Sequence, residues 1–216
     1  MGSSHSSSGV FVTSARAIAQ GRIVCVCVGD VVHNREQRAY AVAVGQDPFD
    51  SEARDNLRRA VKAQIRELYR SKDIVEAAEG HVQVMLGNHD EPAIKRNLEL
   101  GTRGGLMRYG FDQARGGVAL PDDLASWISS FPREVVYHGV HFAHAGPTLA
   151  MQHFDDFFDH DPDTKTWWYE KKGLVQQAGP RFSVYGHTVM KQGVYIDKEP
   201  GFAMIDALAH TSSFWR

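Results

Sequence analysis

The sequence predicts a layered α/β fold built on a mixed sheet, and three observations carry that expectation. Helical and strand patterns alternate over the first part of the chain, up to the segment ending at Ser130, as they do where parallel strands are joined by crossover helices. From Glu134 onward strand patterns predominate, which adds antiparallel pairing to the same sheet system. Four short glycine-containing motifs each follow a strand pattern directly, and the carboxyl ends of strands are where open α/β sheets place their sites.

The elements follow in order. Residues 10–19 read as a helix, with Ser8 available as N-cap and Gly21 ending it. Arg22 to Val28 is a short apolar run that reads as a buried strand, its Cys25 and Cys27 acting as small core hydrophobes in a reducing compartment. A helix over 51–70 carries Leu57, Val61, Ile65 and Leu68 at helical spacing, capped by Asp50 or Ser51. His81 to Leu86 is the next strand. Glu91-Pro92 opens a helix ending at Gly101, and 101–118 is a Gly- and Arg-rich loop. Pro121-Asp122-Asp123 starts a helix bearing Leu124, Trp127 and Ile128. Strands are expected at 134–138, 140–144, 181–185, 193–197 and 202–208, the last two joined by Lys198-Glu199-Pro200-Gly201. Residues 147–180 are irregular and partly helical, with the aromatic run Trp167-Trp168-Tyr169.

Composition excludes more than it names. A chain of 216 residues suits one domain, or one domain with a small insertion. Hydrophobic residues at 43% and charged residues at 23% exclude wholesale disorder. Twenty-four Lys+Arg against 26 Asp+Glu leave a formal charge of -2, so no global field favours nucleic acid or an anionic membrane. No apolar run reaches membrane-helix length, and no secretory signal pattern is present, so the expected location is cytoplasmic.

The chemistry gathers in the four motifs: Gly29-Asp30, Gly87-Asn88-His89-Asp90, His144-Ala145-Gly146 and Gly186-His187-Thr188. Taken singly, a Gly-Asp or Gly-His pair marks an ordinary turn. Taken together, four strand ends can bring Asp30, Asn88, His144 and His187 to one place. One carboxylate, one amide oxygen and two imidazoles suit Mn, Fe or Zn better than calcium or a thiolate site. Other groups carry weaker signals. Arg103, Arg108 and Arg115 read as loop charges, Asp155, Asp156, Asp159, Asp161 and Asp163 as a solvated acidic loop, and Trp167-Trp168-Tyr169 as core before base-stacking platform. His138, His141, His153 and His210 stand outside any motif.

The order Gly-Asp, Gly-Asn-His-Asp, His-Ala-Gly and Tyr-Gly-His-Thr closely resembles the calcineurin-like metallophosphoesterases, and its last motif resembles the Ser/Thr protein phosphatase-like branch with its bacterial relatives. The resemblance spans roughly residues 2–208. It implies a four-layer α/β/β/α sandwich with mixed sheets and two divalent metal ions bridged by one Asp. Carried over, Asp30 is the bridging carboxylate, Asn88, His144 and His187 complete the second metal site, and His89 is the general acid for the leaving alkoxide. Two such ions lower the pKa of a bridging water and clamp an in-line displacement.

The chain also departs from the family pattern. The family's first motif is Asp-x-His; the candidate here is Ser3-Ser4-His5, with His5 as the metal ligand and Ser3 in place of the Asp. The family's first strand is expected to be missing. Residues 1–9 are either the remnant of an expression tag or a degraded first motif, and 10–216 form a metallophosphoesterase domain with a helical insertion near 45–80. After Gly29-Asp30 the chain has His33 and Asn34 where the family has an orienting Asp and a phosphate-holding Arg, and Arg35, one position later, is the substrate-binding candidate. The resulting expectation is a cytoplasmic metal-dependent phosphatase with a binuclear metal site. It would act on phosphomonoesters of proteins or small molecules, with no nucleic acid or membrane partner. The alternatives are a dinucleoside polyphosphate hydrolase and a catalytically weakened binding module on the same fold.

Overall fold

A computed structural model describes residues 16–32, 54–95, 111, 118–146, 168–170, 172–177, 179–199 and 201–206. Residues 16–19 are helical, the described end of the helix expected from residue 10. Strand β1 (Cys25–Cys27) lies parallel to β2 (Val82–Val84), with Cys25 opposite Val82 and Cys27 opposite Val84. Parallel neighbours need a crossover, and helix α1 (Arg54–Ala77) lies in that connection. It runs past the expected end at residue 70 because Val75 still reaches the core. Glu79 and Gly80, with φ of 47° and 88°, then turn the chain into β2.

Beyond β2 the backbone stays tied down without further strand pairing. The Met85 amide donates to Cys27 O and the Leu86 amide to Pro132 O, each at 2.9 Å. Helix α2 (Asp90–Lys95) starts one residue before the expected Glu91, and its expected end at Gly101 lies outside the described residues. Helix α3 (Asp122–Ser129) follows Pro121 as expected, with Asp122 and Asp123 in its first turn, where the helix dipole favours negative charge. Its Leu124 and Ile128 are fully buried with Leu68 of α1, Val84 and Leu86, so the helices pack around the smaller sheet as one core.

A second sheet of five strands is mixed. It contains β3 (Glu134–Tyr137), β4 (Val140–Ala143), β5 (Phe182–Tyr185), β6 (Tyr195–Asp197) and β7 (Phe202–Met204), in the order β3-β4-β5-β7-β6. β3 and β4 are antiparallel, joined through His138 and Gly139 with φ of 49° and 79°, the two positive values that a tight I′ hairpin turn demands. β4, β5 and β7 run parallel to one another, and β6 is antiparallel to β7. The register aligns Ala143, Tyr185 and Met204 on one face, where they pack with Val175 of the short helix α4 (Leu174–Gln177), Phe202 and Met190.

The main correction concerns β1. The apolar run around it reads as a buried strand, yet Cys25 is exposed and Ile23 and Val24 are 44% and 39% exposed. Among the described residues β1 has a strand neighbour on one side only. Cys27 alone of the two cysteines packs against the core, where burial pushes its thiol pKa up. Both cysteines are free. No helix among the described residues is long and apolar enough to cross a membrane.

Candidate functional site

The two parallel strand pairs, β1/β2 and β4/β5, end at the same place. Val28 follows β1, Gly87 and Asn88 follow β2, His144 follows β4, and Gly186 and His187 follow β5. A backbone bond from Gly186 N to His144 O at 3.0 Å continues the β4/β5 ladder to this end. The His144 ring crosses to the other sheet, its Nδ1 lying 2.7 Å from the Val28 carbonyl oxygen. A carbonyl only accepts, so Nδ1 carries a proton and Nε2 is the ring nitrogen turned toward the other side chains.

Nε2 meets oxygen and nitrogen atoms of the neighbouring strand ends. His144 Nε2 is 2.9 Å from Asn88 Oδ1 and 3.4 Å from Asp30 Oδ1. His187 Nδ1 is 3.0 Å from the same Asn88 oxygen and 3.2 Å from His144 Nε2. Four donor atoms from four strand ends therefore converge. Ligand bonds of about 2.1 Å place two donors about 3.0 Å apart at a right angle and about 3.4 Å apart at the tetrahedral angle. The spacings match the edges of a coordination shell, and the carbonyl on His144 Nδ1 is the usual outer partner of a ligating imidazole. Asp30, Asn88, His144 and His187 could thus hold a divalent cation. Among the described residues no three His, Cys, Asp or Glu side chains stand as a metal-binding group by themselves; the convergence centres on the Asn88 amide.

Local backbone makes this approach feasible. A Cβ on Gly87 would collide with the backbone nitrogen and Oδ1 of Asp30, and one on Gly29 would lie 2.9 Å from the Gly87 backbone and from His144 Nδ1. Only glycines let these loops touch. Four described non-glycine residues have positive φ, and two of them are site residues, Asp30 at 60° and His187 at 61°. The other two, Glu79 and His138, sit in tight turns. Residues held in this region carry strain that the surrounding contacts must enforce.

His89 lies beside Asp30. Its amide donates to Asp30 Oδ1 at 2.9 Å, and its ring Nδ1 is 3.5 Å from Asp30 Oδ2. Burial by itself would raise the Asp30 carboxyl, but the His144, His89 and His187 imidazoles and the His89 amide outweigh it and hold the group below its ordinary value.

Sequence reasoning missed Asp90. Its carboxylate is fully buried and accepts three backbone amides: Val32 at 2.7 Å on Oδ1, and Gly87 at 2.7 Å and Asp30 at 3.1 Å on Oδ2. It ties the loop after β1 to the loop after β2 and so fixes where Asp30 stands. Burial first, and the neighbouring Asp30 charge second, push its pKa up to about 8 against those three donors. The available signal was its place directly after His89 in the strongest motif.

The other expectations divide. His5, Arg35, Arg103, Arg108, Arg115, Trp167, His153, His210 and the acidic residues 155–163 lie outside the described residues. Trp168 packs edge-on against Tyr195 over the second core, the structural use of that aromatic run. His138 is an exposed turn residue. His141 is buried, its Nε2 3.2 Å from Glu134 Oε2. No protein-family model matches the chain, and no curated protein is significantly similar to it.

Proposed function

We propose that the protein is a metal-dependent phosphoesterase that hydrolyses phosphomonoesters, of proteins or small molecules, on a four-layer α/β/β/α sandwich of the calcineurin-like kind. The observation that carries the reading is the convergence of Asp30 Oδ1, Asn88 Oδ1, His144 Nε2 and His187 Nδ1 within 2.9–3.4 Å of one another along the contacts described. The packing of α1–α3 on the smaller sheet and of α4 on the larger supports the layer order.

These four side chains would hold a divalent ion such as Mn, Fe or Zn, with Asp30 shared toward a second ion whose further ligand by resemblance is His5. When bound, such ions supply Lewis acidity and an activated water for attack on phosphorus. The chain's own residues do the rest. Val28 O fixes the His144 tautomer, and Asp90 fixes the Asp30 backbone. Asp30 orients the His89 ring, so that Nδ1 faces the carboxylate and Nε2 is the nitrogen that passes a proton to the leaving oxygen. The four backbone-anchored strand ends give the rigidity such a constellation needs.

The test is to measure Mn²⁺ binding by calorimetry and hydrolysis of an aryl phosphate for the parent chain and Asn88→Ala. The parent should bind the ion and turn over, and the variant should lose about 10-fold or more in metal affinity with a parallel fall in rate. A parent that binds no divalent ion, or a variant that binds it equally well, refutes the assignment.

A further inference from the structure

The exposed face of α1 has no part in the site as described, and its charge is strongly polarised. Between residues 58 and 70 the helix carries Arg58, Arg59, Lys62, Arg66 and Arg70 against a single acid, Glu67. All of these side chains are exposed, and Arg70 pairs with Glu67 at 3.0 Å. Among the described residues no carboxylate pairs with Arg58, Arg59, Lys62 or Arg66. Beyond residue 70 the sign reverses: Asp73, Glu76 and Glu79 stand against Lys72. Arg58, Lys62 and Arg66 recur every four residues, so they form one stripe, with Arg59 beside it, while Val61, Gln64 and Leu68 are buried on the opposite side.

The stripe lies at the site's end of the fold. Ala78, Glu79 and Gly80 return the chain directly from α1 into β2, and Ile65 and Leu68 pack in the same core as Val84 and Leu86. The helix therefore runs antiparallel to β2. From Val82 to Asn88 the chain climbs about 20 Å at strand rise. A helix covers that height in about 13 residues, which reaches from Ala78 back to Ile65. On this spacing Arg66 is level with Asn88, Lys62 and Arg58 extend about 5 and 11 Å beyond it, and the acidic end of the helix is level with the start of β2.

We propose that Arg58, Arg59, Lys62 and Arg66 dock an extended acidic segment of a polypeptide and hold it beside the strand-end site. The spacing fits. Residues four apart on a helix rise about 6 Å, and alternate side chains on one face of an extended chain repeat about every 6.6 Å. Guanidinium groups favour carboxylate and phosphate partners through paired hydrogen bonds. Nucleic acid fits less well, because the stripe from Arg58 to Arg66 is only about 12 Å long and the chain carries a formal charge of -2, which gives no broad field to track a phosphate backbone. Docking stands on the stripe alone. Its consequence for turnover, preference for phosphopeptides with acidic flanks, rests on the phosphoesterase reading.

The experiment uses the full chain, its Arg58→Glu/Lys62→Glu/Arg66→Glu variant, and a fluorescein-labelled ten-residue peptide with Glu at alternate positions. Binding is read by anisotropy across a salt series, with a Lys-for-Glu peptide and a single-stranded oligonucleotide as comparators. The parent should bind the acidic peptide and not the basic one. Binding should weaken with salt and fall roughly 10-fold or more in the variant, as three reversed surface charges allow. Circular dichroism and the unfolding midpoint should be unchanged, since the three side chains are exposed. The kcat/KM for a phosphopeptide with acidic flanks should fall with the binding, while that for an aryl phosphate stays constant. Failure to bind the acidic peptide, equal binding by the variant, or binding of the oligonucleotide alone overturns the proposal. Salt-sensitive peptide binding without hydrolysis of either substrate leaves docking supported and refutes the phosphoesterase reading.

Discussion

Asp90→Asn separates the two forces that meet at the candidate site. The native carboxylate accepts amides from Val32 on Oδ1 and from Gly87 and Asp30 on Oδ2. Asparagine keeps one acceptor oxygen and replaces the other with an NH₂ group. With its oxygen in the Oδ2 position two bonds survive, and the NH₂ faces the Val32 N–H; flipped, two bonds are lost. The better choice still leaves one buried donor unpaired, a cost of about 1–3 kcal/mol. Working against this, the substitution removes a buried acid whose ionisation is opposed by burial and by the Asp30 charge. At neutral pH folded Asp90 is largely protonated while the unfolded carboxyl is not, so folding takes up a proton that asparagine does not need, and this relief offsets the hydrogen-bond loss; near pH 4 the relief is small and the hydrogen-bond loss wins. Near pH 4 a net destabilisation of about 2 kcal/mol is expected, or a fall of about 4–8 °C in Tm for a chain of this size.

The pH dependence has a definite sign. Folded Asp90 keeps its proton up to about pH 8, whereas the unfolded carboxyl releases it near its ordinary value of 3.8. The folded state thus binds more protons between these values, and stability from Asp90 is complete below the unfolded pKa and lost as pH rises through the folded one. The gap between parent and Asp90→Asn should be widest near pH 4 and shrink toward pH 8. Urea unfolding in the presence of a chelator, at a series of pH values, reads both effects. A variant as stable as the parent near pH 4, or a gap that widens toward pH 8, would overturn this expectation.

Two further outcomes are expected. His89→Asn should lower kcat on an aryl phosphate by about 10²–10⁴-fold with metal content by elemental analysis unchanged; loss of metal would make His89 a ligand instead. Gly87→Ala should destabilise by about 1–3 kcal/mol and weaken metal binding, because its Cβ meets Asp30 N and Oδ1; normal stability and normal binding would show that the two loops are free to separate.

The convergence of Asp30, Asn88, His144 and His187 was legible because its signal is local. Asn88, His89 and Asp90 are consecutive, and Asp30, His144 and His187 each stand beside a glycine or precede one closely. Tight turns at strand ends write themselves as short motifs. The work of Asp90 was not legible, because two of its three donors, on Asp30 and Val32, are 60 and 58 residues away in the chain. The exposure of β1 was hidden for a related reason. An apolar run states that a strand can be buried, while which neighbour covers it is decided by pairing far along the chain. The extension of α1 to Ala77 was missed because polar residues dominate its last turns and only Val75 among them reaches the core.

The chemistry of the site and the joining of its two sheets rest on the same atoms. The His144 Nδ1–H that reaches Val28 O ties the five-stranded sheet to β1, and the same bond turns Nε2 toward Asn88 and Asp30. Asp90, which anchors the Asp30 amide, also joins the loops after β1 and β2. A substitution at His144 therefore removes a donor and a sheet-to-sheet bond together, and its loss of metal binding would not by itself identify a ligand. Asn88 differs. Its oxygen meets His144 and His187 at 2.9 and 3.0 Å, so its removal tests the donor set while the Val28–His144 bond and the Asp90 anchor remain. That asymmetry makes Asn88, rather than either histidine, the residue on which the functional reading is most cleanly decided.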